Sequence, residues 1–173
     1  MSFRAHLRPV IAATLLLVAA GSGTAAAGTV KPASSAPSLS VNGDVELTPG
    51  LEVFHVVTNS QRSEDTTTGQ FTGAGELKSG AVNLPIPLSI AGPVTCLTVR
   101  GNTAAFVYPI TTAQPPLLSN LLVNNTSVLF TVTKGADGVN HVGFVGPLPS
   151  GFFYGCQPTG TPFVFHGTVE ITR

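Results

Sequence analysis

The chain of 173 residues is long enough for one domain with a hydrophobic core. It contains 8 Lys and Arg against 8 Asp and Glu, and charged residues make up only 9% of it, against roughly 25% in ordinary soluble domains. A nucleic-acid-binding surface and a polybasic membrane patch both need clustered Lys and Arg, so this sequence argues against each of them.

The N-terminal segment is typical of a secretory signal peptide. Arg4 and Arg8 precede the short apolar run VIAATLLLVAA, and three alanines follow at 25–27. The run is shorter than the ~20 apolar residues that span a bilayer. We therefore predict a signal peptide over residues 1–27, a secreted, extracellular location, and no transmembrane segment in the mature chain. Removing Arg4 and Arg8 leaves 6 basic against 8 acidic residues.

A change of composition separates the signal peptide from the domain. The stretch GTVKPASSAPSLSVNG, residues 28–43, is rich in Ser, Pro, Ala and Gly and has few large apolar residues. Such a composition is typical of a flexible linker. The sequence therefore predicts a linker over 28–43 and one folded domain over 44–173.

The domain shows short runs of alternating apolar and polar residues that are broken by Gly, Pro and Asn, which is typical of an all-β protein. The stretch around Pro85 and Pro87 predicts an edge strand or an irregular connection, because proline cannot donate to a ladder. The apolar stretch Leu117–Val123 favours a short helical turn at one end of the fold. The clearest strands are Leu51–Asn59, Gln70–Leu77, Val94–Arg100, Thr103–Tyr108, Ser127–Lys134, Val139–Gly146 and Phe163–Thr172.

These elements predict a single small antiparallel barrel of about seven or eight strands. An antiparallel meander of this size closes readily into a barrel, and closure leaves no unpaired edge strand. A two-sheet β-sandwich is the alternative architecture.

The stretch VTCLTVRGNTAAFVY predicts a hairpin with a two-residue turn at Gly101 and Asn102. The turn fixes a register in which Leu97 faces Phe106, on the more apolar side of the hairpin. Cys96 then points away from the main core. Because the exported chain has only two cysteines, the sequence predicts a disulfide between Cys96 and Cys156.

The sequence GPVTCLTVRGNTAAF, residues 92–106, resembles a group of small secreted β-proteins of actinomycetes that have no assigned activity. FTGAG at 71–75, the second cysteine before the last strand and FHGTVEI near the C-terminus add to the resemblance. The resemblance implies secretion and a small β-barrel-like domain. It implies no catalytic residues.

Few side chains suggest chemistry, and no hydrolase, metalloprotease or nucleotide-binding motif is present. His55 lies inside a barrel if the stripe of Val53 and Val57 faces the core, whereas an inward stripe of Phe54 and Val56 exposes it. The sequence therefore favours a non-enzymatic protein over an enzyme. We predict no catalytic residue, no metal site and no cofactor.

Two functions fit this sequence. The first is a non-enzymatic secreted binding protein or envelope component, suggested by the apolar loops Leu117–Val123 and Phe152–Tyr154, since apolar patches often mark contact surfaces. The second is a barrel that binds or isomerises a small apolar ligand, by analogy with lipocalins and allene-oxide-cyclase-like barrels. A hollow interior with His55 or Tyr108 in its wall would favour the second function.

Overall fold

The computed structural model describes residues 35–48, 51–79 and 82–173. The predicted signal peptide (1–27) and the first part of the predicted linker lie outside the described residues. The elements in chain order are β1 Ser38–Thr48, β2 Leu51–Ser63, β3 Thr66–Ser79, β4 Val82–Pro93, β5 Cys96–Arg100, β6 Thr103–Pro109, β7 Thr112–Gln114, α1 Pro116–Leu122, β8 Thr126–Thr133, β9 Asn140–Pro149, a 3-10 turn Ser150–Phe152 and β10 Phe163–Thr172.

The all-β prediction is confirmed. The strands in the described part of the chain form one antiparallel sheet with ten members, in the order β5-β6-β8-β9-β10-β1-β2-β3-β4-β7. The first and last strands in sequence, β1 and β10, are neighbours at the middle of the sheet. The chain crosses from one side of the sheet to the other three times, from β4 to β5, from β6 to β7, and from β7 through α1 to β8.

The predicted closed barrel of seven or eight strands is wrong in strand number and in closure. The ten-stranded sheet curls into a half-barrel, and among the described residues no ladder joins its edge strands β5 and β7. A single sheet also rules out the sandwich alternative. β7 has only three residues and pairs with residues 89–91 of β4, so it extends the sheet without closing it.

The predicted linker is too long by its last six residues. Residues 38–43 form the first half of β1 and pair with β10 and β2 on both sides. Leu39 and Val41 are fully buried, so two apolar residues in a Ser-rich stretch suffice to fix a central strand once both of its edges are paired.

The predicted hairpin and its register are confirmed. Leu97 pairs with Phe106, and Val99 pairs with Ala104. Gly101, at the turn, has a φ of +65°, a conformation that glycine adopts without the steric cost of a Cβ atom.

The concave side of the sheet holds the main core. Its buried members include Val128, Phe130 and Val132 in β8 and Phe165 and Val169 in β10. Helix α1 covers part of this core with Leu118 and Leu122, and Val123, which follows the helix, packs there as well.

A second, smaller cluster lies on the convex side and contains the disulfide. Cys96 and Cys156 are bonded, with their Cα atoms 5.9 Å apart, and they pack with Ala105, Val107 and Leu129. Cys96 therefore points away from the main core, as predicted, and the bridge holds the segment before β10 against the outside of the sheet.

No helix in the part of the chain that the structure describes combines the length and hydropathy needed to cross a bilayer.

Candidate ligand-binding cleft

The open side of the half-barrel contains an apolar cleft of about 230 Å³. It is larger than the ~150 Å³ apolar cavity that accepts a benzene molecule in another protein. Seven strands of the sheet contribute to its walls, so it is formed by the curvature of the sheet rather than by one loop. Its lining residues are Val45, Leu47, Phe54, Phe71, Leu88, Ile90, Tyr108, Val128, Phe130, Phe144, Gly146 and Pro147.

The inner wall of the cleft includes a cluster of aromatic rings. Phe71 stacks on Tyr108, with ring centroids 4.0 Å apart and planes 19° from parallel. Phe130 lies 5.9 Å from Phe71 and 5.3 Å from Phe106. These separations lie within or just below the range typical of interacting aromatic pairs, so this wall is a packed surface of ring faces and edges.

Tyr108 contributes the one polar side-chain atom among the lining residues of the cleft. Its side chain is 1% exposed, and no described residue forms a hydrogen bond with its hydroxyl group. Burial raises the pKa of this hydroxyl far above the ordinary value for tyrosine. A neutral hydroxyl in an apolar cleft can donate one hydrogen bond and accept another, so it can orient a ligand that carries a single oxygen or nitrogen atom.

The raised pKa of Tyr108 predicts a specific alkaline titration. In a Tyr154→Phe protein Tyr108 is the only tyrosine left, and we expect its phenolate absorbance to appear only when the protein unfolds. Below pH 10, the value for an unfolded chain, Tyr108 is protonated in both states and does not affect the free energy of unfolding. Above pH 10 the unfolded chain loses its proton first, so the free energy of unfolding falls.

The measurement is ultraviolet absorbance of phenolate against pH, with circular dichroism on the same samples. Coincident transitions are the expected result. Phenolate that appears at pH 10 in a protein with native circular dichroism would show that Tyr108 is accessible to solvent.

His55 lies outside the cleft, so the interpretation that placed it in the barrel interior is wrong. Phe54 and Val56 face the concave side, and the intervening His55 projects from the convex face. Its Nδ1 atom lies 2.8 Å from Oδ1 of Asp44, its partner on β1. This exposed pair is a cross-strand contact on the solvated side of the sheet.

A second histidine–carboxylate pair lies beside the first. His166 Nε2 on β10 is 2.7 Å from Oε2 of Glu46 on β1. Among the residues that the structure describes, no group of three or more His, Cys, Asp and Glu side chains could hold a metal ion.

Each of the two apolar segments named from the sequence has some side chains that pack on the fold and others that are exposed. In α1 one side packs on the core, whereas Leu117 and Leu121 are exposed; in the second loop Phe152 and Tyr154 are exposed, and Phe153 packs near the disulfide. These loops are therefore partly end caps of the fold and partly free surface.

Sequence reasoning named Tyr108 but missed most of the cleft wall. Phe144, Gly146 and Pro147 fall in the poorly alternating half of β9, and Leu88 and Ile90 follow the prolines of β4. Each of these irregular stretches carries large apolar residues that a regular, closed sheet would not need. Their presence was the sequence signal that could have indicated the cleft wall.

No protein-family model, no curated protein and no solved structure matches this chain.

Proposed function

We propose that this protein is an exported, non-enzymatic binding protein for a small, largely apolar molecule that carries one hydrogen-bonding group. The observation that supports this proposal best is the apolar cleft, in which Tyr108 is the one lining residue with a polar side-chain atom. Ligand sites in proteins typically combine apolar walls with a few polar groups that fix orientation.

The composition of the cleft favours binding over isomerisation. General acid–base catalysis needs a group whose pKa lies near the working pH. The described lining residues include no His, Asp, Glu, Lys or Cys, and the raised pKa of Tyr108 opposes loss of its proton. Such a site holds a neutral hydroxyl for recognition rather than a proton carrier.

Export is part of the same proposal. It is supported by the N-terminal sequence and by the Cys96–Cys156 disulfide, since such bonds persist mainly in oxidising compartments. An apolar-ligand carrier outside the cytoplasm belongs either in the medium or at the cell envelope.

Two substitutions test the cleft as a ligand site. In Leu88→Trp the indole ring should occupy the cleft and abolish binding, because Leu88 is a partly exposed lining residue with room for a larger side chain. In Tyr108→Phe the shape is kept and only the hydroxyl is lost. Affinity should fall about fivefold to tenfold, as expected for one neutral hydrogen bond.

The binding measurement uses matched pairs of small cyclic compounds, one a hydrocarbon and the other its alcohol, titrated by NMR. Tyr108→Phe should weaken binding of the alcohol and leave binding of the hydrocarbon unchanged. The matched control is Val57→Trp, at an exposed position on the convex face of β2. It should leave binding of both the alcohol and the hydrocarbon unchanged. Unchanged binding in Leu88→Trp, or no binding of any pair to the native protein, would refute the proposed function.

A further inference from the structure

Four large apolar side chains protrude from one part of the surface, on α1 and on the loop that begins with the 3-10 turn. Leu117 and Leu121 are 71% and 63% exposed, and Phe152 and Tyr154 are 68% and 94% exposed. We call these four residues the apolar tip. Protruding Leu and aromatic side chains are costly in water, and exposed apolar side chains on neighbouring segments often mark a contact surface.

The two segments of the apolar tip belong to the same end of the sheet. Ser150, which begins the 3-10 turn, donates its backbone N–H to the carbonyl oxygen of Asn125 at 3.2 Å. The hydroxyl of Thr126 donates to the carbonyl oxygen of Leu122, the last residue of α1, at 2.8 Å. The hydroxyl groups of Ser127 and Ser150 are also 2.8 Å apart. These bonds fix both segments to the beginning of β8.

The apolar tip is drawn from the uncharged part of the chain. Residues 101–133 and 138–169 contain no Lys, Arg, Asp or Glu. The charged residues that flank these spans are Arg100, Lys134, Asp137 and Glu170. The first three lie in or beside the turns at the other end of the strands, and Glu170 lies near the end of β10, three residues before Arg173, which donates to the carbonyl oxygen of Gly101 in one of these turns. A surface with this distribution of charge complements a neutral partner.

We propose that the apolar tip docks on the surface of a neutral lipid bilayer. Tyrosine suits the boundary between headgroups and acyl chains because its ring is apolar and its hydroxyl is polar, and leucine and phenylalanine reach deeper. Each side chain that leaves water contributes to binding separately.

The small area of the apolar tip argues against a second copy of this chain as its partner. Four side chains at these exposures present on the order of 500 Å². A stable protein dimer buries about 800 Å² on each partner. A bilayer has no such minimum, because the side chains insert individually into the lipid.

Membrane docking also gives the ligand a source, and this part of the inference rests on the proposed function. The strands β8 and β9, which carry the two segments of the apolar tip at their ends, supply Val128, Phe130, Phe144, Gly146 and Pro147 to the cleft. An apolar molecule dissolves in lipid far better than in water. The cleft would therefore load from the bilayer on which the protein is docked.

The test is flotation of the purified exported protein with phosphatidylcholine vesicles at low and high ionic strength. We expect binding that is independent of ionic strength. Leu117→Ser with Leu121→Ser, and separately Phe152→Ser with Tyr154→Ser, should each lower the partition coefficient about tenfold. The matched control is Val57→Ser with Val139→Ser, which removes two exposed apolar side chains elsewhere on the surface and should leave partitioning unchanged.

Three results would overturn membrane docking: no flotation of the native protein, flotation that needs anionic lipid and is lost at high ionic strength, or self-association that the same substitutions abolish. The NMR titration of the tip variants separates this inference from the proposed function. Loss of flotation with intact ligand binding is the expected result for these variants. Absence of flotation by a native protein that binds its ligand refutes docking alone, and docking by a native protein that binds no ligand refutes the proposed function alone.

Discussion

Replacing Cys96 and Cys156 together with alanine is expected to lower the free energy of unfolding by about 4 kcal/mol. The two cysteines are 60 residues apart in sequence, and a cross-link that closes a loop of this length removes that much conformational freedom from the unfolded chain in the chain-entropy model. Typical domains have a stability of ~5–15 kcal/mol, so the loss is a large part of the total.

The position of the bridge explains why its loss should spare the cleft. The disulfide packs on the convex side of the sheet, in a cluster that is separate from the main core. The cleft opens on the concave side, and none of its lining residues belongs to the disulfide cluster. The double variant should therefore lose stability but keep its affinity for the ligand under conditions where it remains folded.

The measurement is urea denaturation of the native protein and of the double variant, with and without a reductant. Reductant should lower the stability of the native protein to that of the variant and should not affect the variant. A loss smaller than about 1 kcal/mol would contradict the prediction, and so would loss of ligand binding in a variant that is still folded.

The hairpin of β5 and β6 could be predicted from sequence because its structure is local. A two-residue Gly-Asn turn leaves one register, and the register then decides the side of every residue. Leu97 and Phe106 face the core and Cys96 faces outward for this reason alone.

Whether the sheet closes into a barrel could not be predicted, because the answer depends on contacts between segments that are distant in sequence. Gly92 of β4 lies so close to the carbonyl group of Pro109 that a Cβ atom would collide with it. The backbone N–H of Thr111 donates to Ala91 at 2.9 Å. Alternation gives the faces of a strand but not its neighbours, so neither the open sheet nor the place of β7 follows from it.

The candidate site also has one residue whose position could be predicted from sequence and one whose position could not. Tyr108 could be named because the register of the hairpin places it on the same side as Phe106, whereas His55 lies in one of two alternating stripes of β2 that have similar hydropathy. Val57 continues the stripe of His55 and is exposed, and Thr58 and Ser60 continue the opposite stripe and are buried. Two polar residues of β2 thus lie on its buried side and a valine lies on its exposed side, so hydropathy alone does not decide the orientation of His55.

The ring of Phe71 joins strands that lie near opposite edges of the half-barrel. It lies on β3, near one edge of the sheet, yet its ring contacts Tyr108 and Phe106 on β6, near the other edge, at 4.0 and 5.8 Å. It is 1% exposed and also lines the cleft. Truncation of this ring therefore removes a contact across the interior and enlarges the cleft in one step.

We expect Phe71→Ala to lower the free energy of unfolding by about 3–5 kcal/mol, the usual cost of deleting a buried phenylalanine ring. Phe152→Ala makes the same chemical change at an exposed position. Its free energy of unfolding should stay within about 0.5 kcal/mol of that of the native protein. Urea denaturation measures both changes. Because the enlarged cleft can accept one more ring, a bicyclic hydrocarbon should raise the thermal midpoint of Phe71→Ala more than that of the native protein. A loss below about 1 kcal/mol would show that these strands are held together elsewhere, and equal stabilisation of both proteins by the hydrocarbon would show that the ring of Phe71 does not bound the ligand site.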